Sequence, residues 1–302
     1  MLKKLLCAAL AFLMVLGCAG CGSSDSTKPS DQTDTSQQSG KTDAPKQENS
    51  GKTSKEVTVD EQVLVDEGGV KITATGYDAK GFWGPELKLL IENNTEQNII
   101  VGTSALIVNN YMVSDLFSKD VAAGKKANAS MSVLSSTLEN AGIDTVGQIE
   151  VDFHIMDEGF NTILNPGMVT VKTSAYDSMD TTPNDLGKEL YNANGIRIVG
   201  KYVDQNSFWG TAVLVYIENN SGKNIMISGD DLSVNGFMVD GSFYCEVYDG
   251  KMCIDDITIF DSSLKENNIT DIEEIEVSFR IADNDTWDTI DETGPITMTP
   301  EK

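Results

Sequence analysis

The chain has 302 residues, with 47 acidic against 22 basic side chains and a formal net charge of −25, and its length suits two domains of ordinary size. So acidic a surface repels phosphate backbones and anionic lipid headgroups, and it lacks the clustered Lys and Arg of a nucleic-acid footprint, which argues against nucleic acid as a partner.

The N-terminus begins with Lys3-Lys4, an apolar run from Leu5 to Leu16, and small residues beside Cys18 and Cys21. The run is too short to cross about 30 Å of hydrocarbon as a helix, and a basic start with a small-residue end is the pattern of an export signal. Residues 1–17 are therefore expected to be a signal peptide. The segment resembles the lipobox of bacterial lipoproteins, in which the residue after cleavage is an acylated cysteine. Cys18 is the preferred site because Val15 stands three positions before it, with Cys21, preceded by Ala19-Gly20, as the alternative. Loss of Lys3 and Lys4 with the signal leaves 20 basic against 47 acidic residues, a net charge of −27. Residues 18–57 are mostly Ser, Thr, Asp, Gln, Lys and Gly, with two prolines and no aromatic side chain. They cannot bury enough apolar surface to order themselves, and are expected to form a lipid-anchored disordered linker reaching about 30–35 Å.

Beyond the linker the chain repeats itself. Phe82-Trp83-Gly84 and Ile91-Glu92-Asn93-Asn94 recur as Phe208-Trp209-Gly210 and Ile217-Glu218-Asn219-Asn220, and a single ungapped offset of 126 aligns 64–157 with 190–283 at 31 identities in 94 positions. Two copies of one domain are expected, at 58–173 and 184–302, joined by a polar linker at 174–183 and able to fold separately.

Each copy alternates with period two: Val70, Ile72 and Ala74, then Ile149, Val151, Phe153 and Ile155, with Ile275, Val277, Phe279 and Ile281 repeating the last set. These are half-buried strands. Leu87 to Ile91 and Val213 to Ile217 are apolar at nearly every position, as expected of central strands covered on both faces. Further strands are expected at 98–101, 104–109, 126–134 and 168–173. One short helix interrupts them. Ser136-Thr137-Leu138-Glu139 matches a capping box, and Gly142, replaced by Asn268 in the second copy, suits a left-handed C-cap. Short strands with frequent turns predict an all-β fold of two tandem immunoglobulin-like antiparallel sandwiches, each with one short helix.

The strings Gly69-Val70-Lys71-Ile72, Ile91-Glu92-Asn93-Asn94, Val108-Asn109-Asn110-Tyr111-Met112-Val113, Gly124-Lys125-Lys126 and Ile149-Glu150-Val151-Asp152-Phe153 resemble the immunoglobulin-like domains of exported and lipid-anchored Gram-positive (Firmicutes) proteins, domains of unassigned function. The resemblance covers most of 58–300. It implies an extracytoplasmic sandwich anchored to the outer face of the cell membrane, and it transfers no catalytic residue.

His154 is the only histidine and falls on the polar side of its strand, so we read it as a surface residue and expect neither a Ser-His-Asp nor a Cys-His arrangement. No catalytic residue, cofactor or metal is expected. Asp283-Asn284-Asp285 with Asp288 and Asp291, and Asp255-Asp256 with Asp261, carry oxygen ligands but depart from calcium-loop spacing, and read as solvated acidic loops. Phe82-Trp83 and Phe208-Trp209 are either an exposed platform for a ligand or partner or a plug closing one end of the sandwich; we prefer the plug, since both copies must close their cores. Cys245 and Cys253 lie four residues either side of Asp249. With Tyr248-Asp249-Gly250 as a three-residue hairpin loop they would sit directly opposite each other, close enough for a disulfide. These features predict a non-enzymatic, membrane-anchored binding or structural module that contacts a protein, peptide or envelope component. The alternatives are a solute-capturing lipoprotein serving a transporter or, third, an envelope hydrolase.

Overall fold

In the computed structural model, residues 56–114, 116–204 and 210–299 are described. The expected signal peptide, Cys18, Cys21 and nearly all of the linker lie outside them, as do Phe208 and Trp209. The first copy is built from β1 (Gln62–Glu67), β2 (Val70–Asp78), β3 (Glu86–Asn93), β4 (Ile99–Val108), β5 (Tyr111–Val113), β6 (Ser118–Val121), β7 (Lys126–Ser132), α1 (Ser135–Ala141), β8 (Gln148–Met156) and β9 (Thr162–Lys172). The second comprises β10 (Lys188–Ala193), β11 (Ile196–Asp204), β12 (Thr211–Asn219), β13 (Ile225–Val234), β14 (Phe237–Met238), β15 (Gly241–Ser242), β16 (Tyr244–Val247), β17 (Lys251–Ile259), α2 (Asp261–Glu266), β18 (Ile275–Asp283), β19 (Thr289–Glu292) and β20 (Ile296–Met298). Strand makes up 56% of the structure and helix 7%, so the fold is all-β.

The period-two alternation decides the faces. Val151, Phe153, Ile155, Val277, Phe279 and Ile281 are all buried, as are Val70, Ile72 and Ala74. In the first copy β1-β2-β3-β7 form one sheet, packed through Leu87, Leu89 and Ile91 on Val101, Val151 and Phe153 of the facing sheet. In the second, the sheet around β12 packs through Val213, Val215 and Ile217 on Ile227, Phe279 and Ile281 of the sheet ordered β14-β13-β18-β19.

The middle two of these four layers are one sheet. It runs β10-β11-β12-β17-β5-β4-β8-β9, with the copies joined by parallel pairing of β5 with β17, Tyr111 opposite Met252 and Met112 opposite Cys253. The Met252 amide donates to the Asn110 carbonyl at 2.9 Å, Lys251 forms an ion pair with Glu150, and the Asn184 amide donates to the Tyr111 hydroxyl at 2.8 Å. Leu214, Tyr216 and Ile254 on the outer face of β12 and β17 are buried in the same apolar cluster as the first copy's core. β12 is therefore covered on both faces, as its unbroken apolar run suggests. β3 is not: Leu87, Leu89 and Ile91 are buried, but Lys88 and Leu90 on its other face are only half-buried.

The repeated asparagines are structural. Asn93 and Asn219, both 0% exposed, donate to the carbonyls of Gln97 and Val121 and of Lys223 and Val247 respectively, fastening a turn to a neighbouring strand. Asn109 and Asn235 have φ of 48° and 50°, which Asn tolerates better than other side chains, and their Oδ1 atoms accept from the amides of Gly147 and Gln148 and of Glu273 and Glu274. The expected C-cap is present, with Gly142 at φ 72° and Asn268 at φ 57°. The capping box is not: α1 starts two residues earlier, with Leu134 rather than Ser136 at its N-cap, and no side chain caps it. The Trp83 carbonyl accepts the Ser135 amide, so tertiary contact replaces the local cap.

Candidate functional site

β5 stays beside β17 for only two residue pairs and then turns away, while β15 rejoins β17 at Thr258 and Ile259. Between Cys253 and Thr258 one edge of β17 has no strand neighbour among the described residues, and a cleft of about 840 Å³ opens along it. One wall is β4, β5 and α1 of the first copy, the other is β12, β16 and β17 of the second. Because the cleft follows a strand edge, consecutive residues from both faces of β17 reach it: Cys253, Ile254, Asp255 and Asp256.

Four carboxylates line the cleft, Asp204, Glu246, Asp255 and Asp256, and among the described residues no Lys, Arg or His does. Asp255 occupies the inward face with Cys253 and Ile257, where the first copy carries Ala129. Burial, reinforced by the charge of Asp256, pushes its carboxyl up to about 6, although its Oδ1 accepts the Asp256 amide at 2.8 Å. Asp256 accepts the Thr258 hydroxyl at 2.7 Å, and Glu246 the Tyr244 hydroxyl at 2.7 Å. The site thus presents carboxylates on fixed strands beside unpaired backbone, which suits a cationic, extended guest.

Cys245 and Cys253 sit at the cleft's inner end, both buried and both free thiols. The expected hairpin between them does not form. Cys245 pairs with Ile227 and Cys253 with Ile217, in the two opposing sheets. The turn at Tyr248-Asp249-Gly250 is a crossing between sheets, held by the Gly250 amide on the Asn219 carbonyl and the Gly222 amide on Asp249. The cysteines meet across the sandwich interior instead, where a hydrogen bond with Cys253, together with burial, pushes the Cys245 thiol up.

His154 has one neighbour that the sequence did not point to: Ser104 Oγ lies 3.2 Å from His154 Nδ1. The register of β4 against β8 shifts between Thr103 and Ala105, and this bulge places Ser104 beside His154, a side exchange that period-two reasoning misses. Ser104 lines the cleft, but among the described residues no carboxylate is hydrogen-bonded to His154.

Phe82 and Trp83 plug nothing. They are 87% and 64% exposed, stacked edge to face with ring centroids 4.8 Å apart, and Trp83 does not line the cleft. Among the described residues no group of His, Cys, Asp or Glu has the arrangement to hold a metal ion. Asp283 is engaged by the Lys223 ammonium, 2.8 Å away, and by the amides of Asp285 and Thr286. No described helix is long and apolar enough to cross a membrane.

No family model matches the chain, and no curated protein matches it. Among solved structures it is similar to an exo-β-D-glucosaminidase CsxA (13% identity, TM-score 0.23, covering 70% of this chain and 25% of that one) and to an Amycolatopsis orientalis exo-chitosanase CsxA (14%, 0.22, 70% and 25%). It is also similar to red sea bream transglutaminase (9%, 0.20, 81% and 31%). The chain thus spans about a quarter to a third of these proteins' lengths. Likeness this low carries no argument about activity.

Proposed function

We propose that the protein is a non-enzymatic extracytoplasmic binding module, tethered to the cell membrane through a lipid on Cys18, or alternatively Cys21, and that it takes a cationic, extended peptide segment along the free edge of β17. The observation that carries this reading is the junction cleft, where, among the described residues, four carboxylates and no basic group line an unpaired strand edge. Backbone pairing at the edge would supply affinity, and the carboxylates would select Lys or Arg side chains. The basic start and lipobox-like cysteines at the N-terminus support the location.

A fluorescent lysine-rich peptide titrated into the protein tests the reading. Saturable 1:1 binding is expected, weakening with added salt and falling at least several-fold in Asp256→Asn. Equal binding by wild type and variant sets the cleft aside. The Ser104–His154 contact favours one second reading, hydrolysis at Ser104, which phosphonylation by a serine-directed fluorophosphonate with loss of fluoride, absent in Ser104→Ala, would establish.

A further inference from the structure

The joint between the two copies has an unused counterpart at each end of the molecule. Inside the chain, the β4–β5 hairpin of the first copy lies against the outer edge of β17. Shifted by 126 residues, the same hairpin is β13–β14 in the second copy, with identical register: Val108 opposite Tyr111 becomes Val234 opposite Phe237. Tyr111 is 3% exposed, yet Phe237 and Met238 are 51% and 64% exposed, and β14 ends its sheet with no further strand beside it. The counterpart of β17 is β7, which likewise ends its sheet. The molecule therefore carries a second donor hairpin and a second acceptor edge, each unmatched among the described residues.

We propose that these two surfaces join separate copies of this chain head to tail, β14 of one copy adding in parallel to β7 of the next, with Phe237 opposite Lys126 and Met238 opposite Ala127. The register is the internal one carried over. The internal ion pair carries over too: Lys251 with Glu150 corresponds to Lys125 with Glu276, retained at both offsets. Such a contact is heterologous, so it extends rather than closing as a two-fold dimer. It is weaker than the internal joint, because Lys88, Leu90 and Asn128 stand on the acceptor face where the internal joint has Leu214, Tyr216 and Ile254. Lysines along a strand edge also oppose indiscriminate pairing.

Sedimentation of the full-length chain in mild detergent over a range of concentrations tests this. The weight-average mass is expected to rise with concentration past that of a dimer. Phe237→Asp should weaken association by roughly tenfold or more. Lys125→Glu and Glu276→Lys should each give monomers of unchanged circular dichroism, since each alone sets like charges face to face, whereas an equimolar mixture of the two should associate again. A wild type that stays monomeric throughout overturns the proposal. So does association indifferent to Phe237→Asp, failure of the mixture to recover, or occupation of the Phe237–Met238 hairpin by a different protein.

Discussion

The two copies share 31 of 94 aligned residues and one fold, but not the same surroundings. In the first copy the sheet containing β3 faces outward, and its outer positions are Lys88, Leu90 and Asn128; in the second the equivalent sheet is sealed by the first copy, and the same positions are Leu214, Tyr216 and Ile254. Equivalent strands thus need one apolar face in one copy and two in the other. The duplication preserved what closes turns, the paired asparagines, and let outward faces diverge according to what covers them.

The largest effect expected from this asymmetry is at equivalent positions on those faces. Tyr216→Ala should cost about 3–4 kcal/mol, as for other large buried side chains, and Leu90→Ala no more than about 1; chemical denaturation of the two variants measures both. By the same argument 58–173 expressed alone should unfold cooperatively, while 184–302 alone, with Leu214, Tyr216 and Ile254 laid bare, should be markedly less stable. Equal stability of the two fragments would mean that the shared sheet contributes little.

Asp255, where the first copy has Ala129, gives a pH-dependent contrast. Its carboxyl titrates near 6 in the folded protein against an ordinary 3.8, so the unfolded chain ionises first as pH rises. Folding stability is therefore unaffected below about pH 4, falls between about 4 and 6, and stays lowered above that. Asp255→Asn should raise stability by about 2–3 kcal/mol at pH 8 and change little at pH 4. An equal gain at both pH values would show that ionisation is not the cause.

Cys245 and Cys253 replace Lys119 and Ala127 of the first copy. We expect a thiol–disulfide exchange partner to oxidise them, the two thiols giving up two electrons and two protons, to a disulfide across the sheets that adds about 2 kcal/mol. Mass spectrometry of non-reduced protein should find the linked peptides; two alkylatable thiols after oxidative treatment would refute it. The smallest contrast is electrostatic. Glu150→Gln, at the shielded joint, should cost about 1–2 kcal/mol, and Glu276→Gln in isolated monomers less than about 0.5.

Most of the fold is legible because alternation and duplication are periodic signals. The difference between Lys88 and Leu214, or Asn128 and Ile254, stood in the sequence as the sign that only one outer face is covered, although both runs read alike when judged by Leu87–Ile91 and Val213–Ile217 alone. The site is less legible. A cleft between copies depends on where β5 leaves β17, which no local pattern encodes. The bulge that sets Ser104 beside His154 breaks the alternation used to place side chains. The cysteines kept their nearness but changed its geometry, since a turn linking two sheets and a hairpin turn use the same residues.

Amide hydrogen exchange with and without a saturating lysine-rich peptide tests the binding account most directly. The account predicts slowed exchange in residues 254–257 of β17, no change at Phe82 and Trp83, and loss of the protection in Asp256→Asn. Protection centred on Phe82 and Trp83, or none along β17, would contradict it.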